Sequence, residues 1–339
     1  MWQVYGQDHI LKQLEPSLAQ GRLAHAYLLV GPAHIGKMTL ALGLAQAVNC
    51  AQGQAAPCGD CSHCLRIGQG KHADVRVIGV TQRDENGPTR TVIGIGDVKE
   101  SLHQASLKPF EGRCSVIIFD GAELMSDEAA NALLKTLEEP PPQFLILLLT
   151  ANDDALLPTI LSRCRRLDLQ PVAKDQMVER LTVEHEVPLE MAQRLALMSR
   201  GCIGWAINAV NDPQILEQRA ADIQQIKETC QIGLQQRFNY ANELAARFFR
   251  DRDSTKELLY LWLRWWRDLV LIKEGVEEYV QDQDELTHLR LQASQLSTLQ
   301  IVGFIKALNQ TLEALDSNAN PRLALEVLML NLPATRIEV

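Results

Sequence analysis

A chain of 339 residues exceeds the usual single domain and is expected to fold as two or three. A formal net charge of −9 and a pI of about 5.4 exclude a protein that grips nucleic acid by bulk positive charge, so any DNA contact must be local or delivered by partners. The longest strongly apolar run, Phe144 to Leu149, is far too short to span a bilayer, and Met1-Trp-Gln-Val-Tyr has neither a basic region nor a long apolar one; a cytoplasmic protein with no membrane role is expected.

In chain order, the apolar run from Leu23 to Val30 ends at Gly31, and a helical rhythm then covers Lys37 to Asn49. Between them, Gly31-Pro-Ala-His-Ile-Gly36-Lys37-Met38 follows the phosphate-loop pattern G-x-x-x-x-G-K-[ST] until its last position. That position needs a hydroxyl to ligate Mg²⁺, and the thioether of Met38 is a poor ligand for a hard cation. Thr39 is adjacent, but a one-residue step turns it about 100° around the helix, away from the phosphates.

Cys50, Cys58, Cys61 and Cys64 follow in C-x₇-C-x₂-C-x₂-C spacing. Four thiolates suit a closed, tetrahedral, structural Zn²⁺ site, and a reducing compartment favours metal over disulfides. Asp60 and His63, lying between ligands, are expected to be exposed loop residues. The remaining cysteines, Cys114, Cys164, Cys202 and Cys230, are scattered and read as small buried hydrophobes. Gln82 to Thr91, with Asn86-Gly87-Pro88, reads as an exposed loop.

Ser115 to Asp120 is a buried-strand pattern ending in an acid, suited to holding Mg²⁺. The next residue, where a carboxylate would polarise the attacking water, is Gly121; Glu123 could replace it only if the strand continued. Ser126 is expected to cap a helix over Ala129 to Leu137 that Pro140-Pro141-Pro142 stop, and Phe144 to Leu149 is a third strand. These strands, separated by helices, imply a parallel sheet covered on both faces. Ser162-Arg163-Cys164 is placed in a loop after the third strand, with Arg165 and Arg166 as neighbouring surface charges.

Gln170-Pro171 and Asn211-Asp212-Pro213 read as boundaries around a small helical domain, and strand signals are nearly absent beyond it. Ser254-Thr-Lys-Glu257 is a capping box opening a helix that should run to about Gly275. Its apolar face holds Trp262, Trp265 and Trp266, which read as core, with a subunit interface as the alternative.

Gly6-Gln7, Ala24-His25-Ala26-Tyr27, the four-cysteine insert, Asn131-Ala-Leu-Leu-Lys-Thr-Leu-Glu-Glu-Pro140 and Ile160-Leu-Ser-Arg-Cys164 together resemble the clamp-loader branch of the AAA+ family over nearly the whole chain. The resemblance implies an α/β P-loop (AAA+) domain over 1–169 with a parallel sheet and an inserted zinc module at 50–64. A small helical lid domain would follow over 170–211, then an all-α C-terminal oligomerisation (collar) domain over 212–339. It also implies an open five-membered ring with ATP sites between neighbours, in which Arg163, with Ser162 and Cys164, serves the adjacent subunit's site.

The chain's own nucleotide site would comprise Gly31, Gly36, Lys37, Thr39, Asp120 and the sensor-like Asn152. A motor subunit would keep a hydroxyl at position 38, Glu at 121 and a sensor Arg aligned with Gly204. The three departures imply a stationary member for which hydrolysis is not expected, while Gly36 and Lys37 leave ATP or ADP binding open. Its partners would be gamma/tau- and delta-type subunits, with the sliding clamp and primer-template DNA reached through the complex. The alternatives are the gamma/tau-type motor itself and a zinc-bearing nucleic-acid binding module.

Overall fold

The computed structural model describes residues 2–53, 55–80, 92–317 and 319–334. The loop expected at Gln82 to Thr91 lies outside them. The described chain divides into two compact units, Met1–Ile207 and Asn208–Val339.

The first unit runs α1 (Asp8–Ala19), β1 (Ala26–Val30), α2 (Lys37–Asn49), α3 (Ser62–Gly68), β2 (Val75–Ile78), α4 (Ile95–Ala105), β3 (Ser115–Asp120), α5 (Asp127–Glu138), β4 (Phe144–Thr150), α6 (Pro158–Leu161), β5 (Arg165–Asp168), α7 (Lys174–Glu184), α8 (Leu189–Ser199) and α9 (Ile203–Asn211), which crosses the division. Its five strands among the described residues form a parallel sheet in the order β2-β3-β4-β1-β5. Successive side chains of a strand point to opposite faces, so the apolar runs of β1, β3 and β4 need cover on both sides. Leu28, Ile117, Phe119, Ile146 and Leu148 pack with Val98 of α4 and Leu133 and Leu137 of α5. Tyr27, Leu29, Val116, Ile118, Leu147 and Leu149 pack with Ile10 and Leu14 of α1 and Leu40 and Leu44 of α2. Each such buried aliphatic side chain contributes about 1.5–3 kcal/mol.

The local signals act as expected at most ends. Ser126 accepts the Ala129 N–H at 3.2 Å and caps α5. The stretch from Ala26 to Val30 is strand, but Leu23 to His25 precede it. The segment after α6 differs from its sequence reading: Arg165 and Arg166 are exposed, yet they lie on β5, paired with Tyr27 and Leu28 of β1. An edge strand of charged residues with one buried anchor, Leu167, leaves no apolar run to read.

The second unit is helical among its described residues: α10 (Gln214–Gln231), α11 (Leu234–Arg250), α12 (Arg252–Lys273), α13 (Leu286–Gln295), α14 (Thr298–Asp316) and α15 (Pro321–Asn331), with short 3-10 turns between α12 and α13. α12 opens one turn before the expected capping box, because Asp251 accepts the Ser254 N–H at 2.9 Å and becomes the cap. Trp262, Trp265 and Trp266 are fully buried in the core of this unit; Trp266 lies 4.4 Å from Phe304 between ring centroids, and Trp265 donates to buried Gln292 at 2.9 Å. They are core residues, as their helical spacing implied.

Candidate functional site

The phosphate loop leaves β1 at the C-terminal end of the sheet. Its entry is tied to β4 by Gly31 N–H donating to the Thr150 carbonyl at 3.2 Å, and its exit turns at Gly36, whose φ of +108° suits glycine. Lys37 does not extend outward: Nζ donates to the Gly31 carbonyl at 2.6 Å and to the Pro32 carbonyl at 2.9 Å. Burial lowers its pKa below the usual lysine range, against the opposing pull of Glu123 and Asp120. Met38 packs onto the apolar cluster between the sheet and α1 and α2, while Thr39 is exposed on the helix.

Asp120 ends β3 beside the loop, and Asn152 follows β4, its N–H donating to Thr150 Oγ1 at 3.0 Å. Gly31, Gly36, Lys37, Asp120 and Asn152 thus gather at one end of neighbouring strands. After Asp120 the strand stops, since Gly121 adopts φ +79° and residues 122–124 form a 3-10 turn. Glu123 therefore does not continue the strand face; its Oε1 accepts the Ala151 N–H at 3.1 Å. A contact that sequence reading missed ties the loop to α9. Gly204 N–H donates to the His34 carbonyl at 3.0 Å, and a Cβ at 204 would stand 2.7 Å from that oxygen. Gly204, expected from the sequence to stand where a motor subunit has a sensor arginine, therefore touches the loop through its backbone.

Arg163 lies at the other end of the sheet. It precedes β5, whose Arg165 pairs with Tyr27 near the start of β1, whereas the phosphate loop follows Val30. Its guanidinium is 34% exposed and donates from Nη1 to the Thr159 carbonyl at 2.9 Å and Ser162 Oγ at 3.3 Å, and from Nη2 to Glu138 Oε1 at 2.7 Å. Cys164 is half-buried against the α5 side of the sheet, and burial pushes its thiol up to about 12.

α2 carries the chain from the phosphate loop to the cysteine module. Cys50 follows its last turn, Cys61 caps α3 and Cys64 lies within α3; these three and Cys58 present sulfurs all within 4.8 Å of one another. Tetrahedral zinc–thiolate bonds of about 2.3 Å separate sulfurs by about 3.8 Å, the spacing found between Cys58 and Cys64, 3.8 Å. Burial works against a Cys61 thiolate, but the N–H groups of Cys64 and Ala51 together with the Cys64 and Cys58 sulfurs hold the group down at about 6, whereas burial pushes the neighbouring Cys64 thiol up to about 12. The four residues fit a metal ion that takes thiolates.

His63 departs from its loop reading, since it lies in α3 with Nδ1 2.9 Å from Nε2 of buried His72. Beneath the module two further buried groups hold the backbone. Asn49 Oδ1 accepts the Arg113 and Cys114 N–H groups at 2.8 and 3.0 Å, and Asp74 accepts those of Phe110, Glu111 and Gly112 at 2.7, 2.9 and 2.7 Å. Of the other cysteines, Cys230 is fully buried, whereas Cys114 and Cys202 are half-buried.

The family described as DNA polymerase III, delta subunit, matches residues 6–173. DNA polymerase III subunit delta' of Bacillus subtilis (strain 168) is 30% identical over 326 residues, covering 96% of this chain and 96% of that one. The chain belongs to the delta' family. The delta' likeness is end to end, unlike that to the tau subunit of Escherichia coli (strain K12), which is 35% identical over 205 residues and spans 59% of this chain but 30% of tau. Among solved structures, the Holliday junction branch migration motor RuvB of Thermotoga maritima aligns over 61% of each chain at 20% identity and a TM-score of 0.42. Delta' membership places the chain with the gamma and tau subunits in the clamp-loader family. No helix among the described residues is long and apolar enough to cross a membrane.

Proposed function

We propose that this delta' homologue is the non-hydrolysing subunit of a clamp loader, taking part in ATP-driven loading of a sliding clamp onto primed DNA and giving Arg163 to a neighbouring subunit's ATP site. The observation that carries this reading is the separation of Arg163 from the phosphate loop by the length of β1, five residues or roughly 17 Å. Across that distance the guanidinium cannot serve its own loop, and its half-exposed position suits service to another chain. An arginine is always charged and offers a rigid donor fork to phosphoryl oxygens.

Loss of hydrolysis follows from three positions at the loop end. Met38 is drawn into apolar packing where a metal needs a hydroxyl, Gly121 turns the chain where a carboxylate is needed, and Gly204 meets the His34 carbonyl with no side chain. Any ADP or ATP entering the loop must displace the Gly31 and Pro32 carbonyls from Lys37. The cysteine module holds a structural Zn²⁺ through Cys50, Cys58, Cys61 and Cys64; the ion cross-links a loop too small to have its own core. The α7–α9 segment acts as the lid and the second unit as the collar that binds gamma/tau- and delta-type partners in the bacterial cytoplasm.

Steady-state ATP turnover by the purified chain, with and without primed DNA, tests this. Background turnover is expected. A rate of about 1 s⁻¹ or faster, abolished by Lys37→Ala, would make the chain a motor subunit.

A further inference from the structure

Glu138 is the last residue of α5, where the negative end of the helix dipole disfavours a carboxylate. Its side chain nevertheless reaches Arg163 Nη2 at 2.7 Å, while Nη1 is held by the Thr159 carbonyl and Ser162 Oγ. The guanidinium is thus bound to its own chain through both terminal nitrogens, the groups a phosphoryl oxygen would need. Pro140, Pro141 and Pro142 end α5 immediately beyond, which fixes where Glu138 stands.

We propose that Glu138 is a positioning residue that restrains Arg163: its carboxylate competes with the neighbouring subunit's nucleotide phosphates for Nη2 and so sets how readily the arginine is released in trans. This rests on the proposal that Arg163 serves the adjacent ATP site. A nucleoside triphosphate, more highly charged than one carboxylate and held by an adjoining chain, displaces Glu138; without it the ion pair re-forms. Because the pair is only partly shielded, with side-chain exposures of 34% and 54%, the restraint is modest and salt-sensitive.

The test is ATP turnover by a loader reconstituted from this chain with gamma/tau- and delta-type subunits, comparing wild type, Glu138→Gln, Arg163→Ala and the double variant. Glu138→Gln keeps the shape and removes the charge, and is expected to raise turnover about 1.5- to 5-fold, the scale of an exposed ion pair. The gain should shrink at high ionic strength and vanish in the Arg163→Ala background. Turnover unchanged or lowered by Glu138→Gln, with Arg163→Ala still impairing it, overturns the restraint and leaves the trans arginine standing. A gain of equal size in both backgrounds means that Glu138 acts elsewhere and also overturns it. If Arg163→Ala is itself silent, the trans arginine fails and the restraint fails with it.

Discussion

At the C-terminal end of the sheet the groups that a nucleotide would meet are engaged by the protein itself, whereas at the N-terminal end a guanidinium stands partly exposed beside a carboxylate. Lys37 is bound by the carbonyls of its own loop, Met38 lies in apolar packing and His34 is met by the Gly204 backbone. Arg163 is held by its own chain too, but its partly exposed guanidinium is paired with an exposed carboxylate, that of Glu138, besides the Thr159 carbonyl and Ser162 Oγ. The phosphate loop thus persists without its hydroxyl because Gly36, the α2 packing and the contact with α9 set its shape. On the proposed reading, catalytic chemistry and loop geometry are separable: the first depends on a few polar atoms, the second on a glycine turn, packing and a backbone contact.

The largest expected effect comes from loosening the loop end from behind, since α2 joins the phosphate loop to Cys50. Structural zinc sites contribute apparent binding free energies on the order of 10 kcal/mol. Cys61→Ser is expected to lower zinc content from about one ion per chain to nearly none. Backbone amides of residues 50–70 should then exchange faster while those of β3 and β4 stay protected. Retention of stoichiometric zinc would remove Cys61 from the site.

A smaller effect is expected from Gly204→Arg, which supplies the side chain aligned with a motor's sensor. Its Cβ would press on the His34 carbonyl, so a loss of about 1–3 kcal/mol in stability is expected, read as a lower thermal midpoint, with no gain of ATP turnover. An unchanged midpoint would show that α9 and the loop separate freely and that the Gly204 contact does not hold the loop in place.

The interior of the sheet was legible in the sequence because β3 and β4 are uninterrupted apolar runs, and α2 and α5 carry a glycine turn and a serine cap at their starts. The edge strands were not. β2 is four residues long and partly exposed, and β5 is mostly charged, so neither shows the apolar run that burial on both faces imposes. The cysteine ligands could be read from spacing alone. Asn49 and Asp74 could not, because their partners are backbone N–H groups brought near only by the fold. Glu138 left a faint signal, an acid at a helix end just before three prolines. The Gly204 contact left none, since a backbone donor looks like any other glycine.

The most direct measurement of the division between the two ends compares Arg163→Ala and Lys37→Ala, each introduced into this chain alone within the reconstituted loader. Arg163→Ala is expected to lower turnover at the site it serves by on the order of 10³, with assembly intact, while Lys37→Ala leaves turnover within about twofold of wild type. The opposite pattern, a silent Arg163→Ala and a loader crippled by Lys37→Ala, would place the chemistry in this chain's own phosphate loop and contradict the assignment.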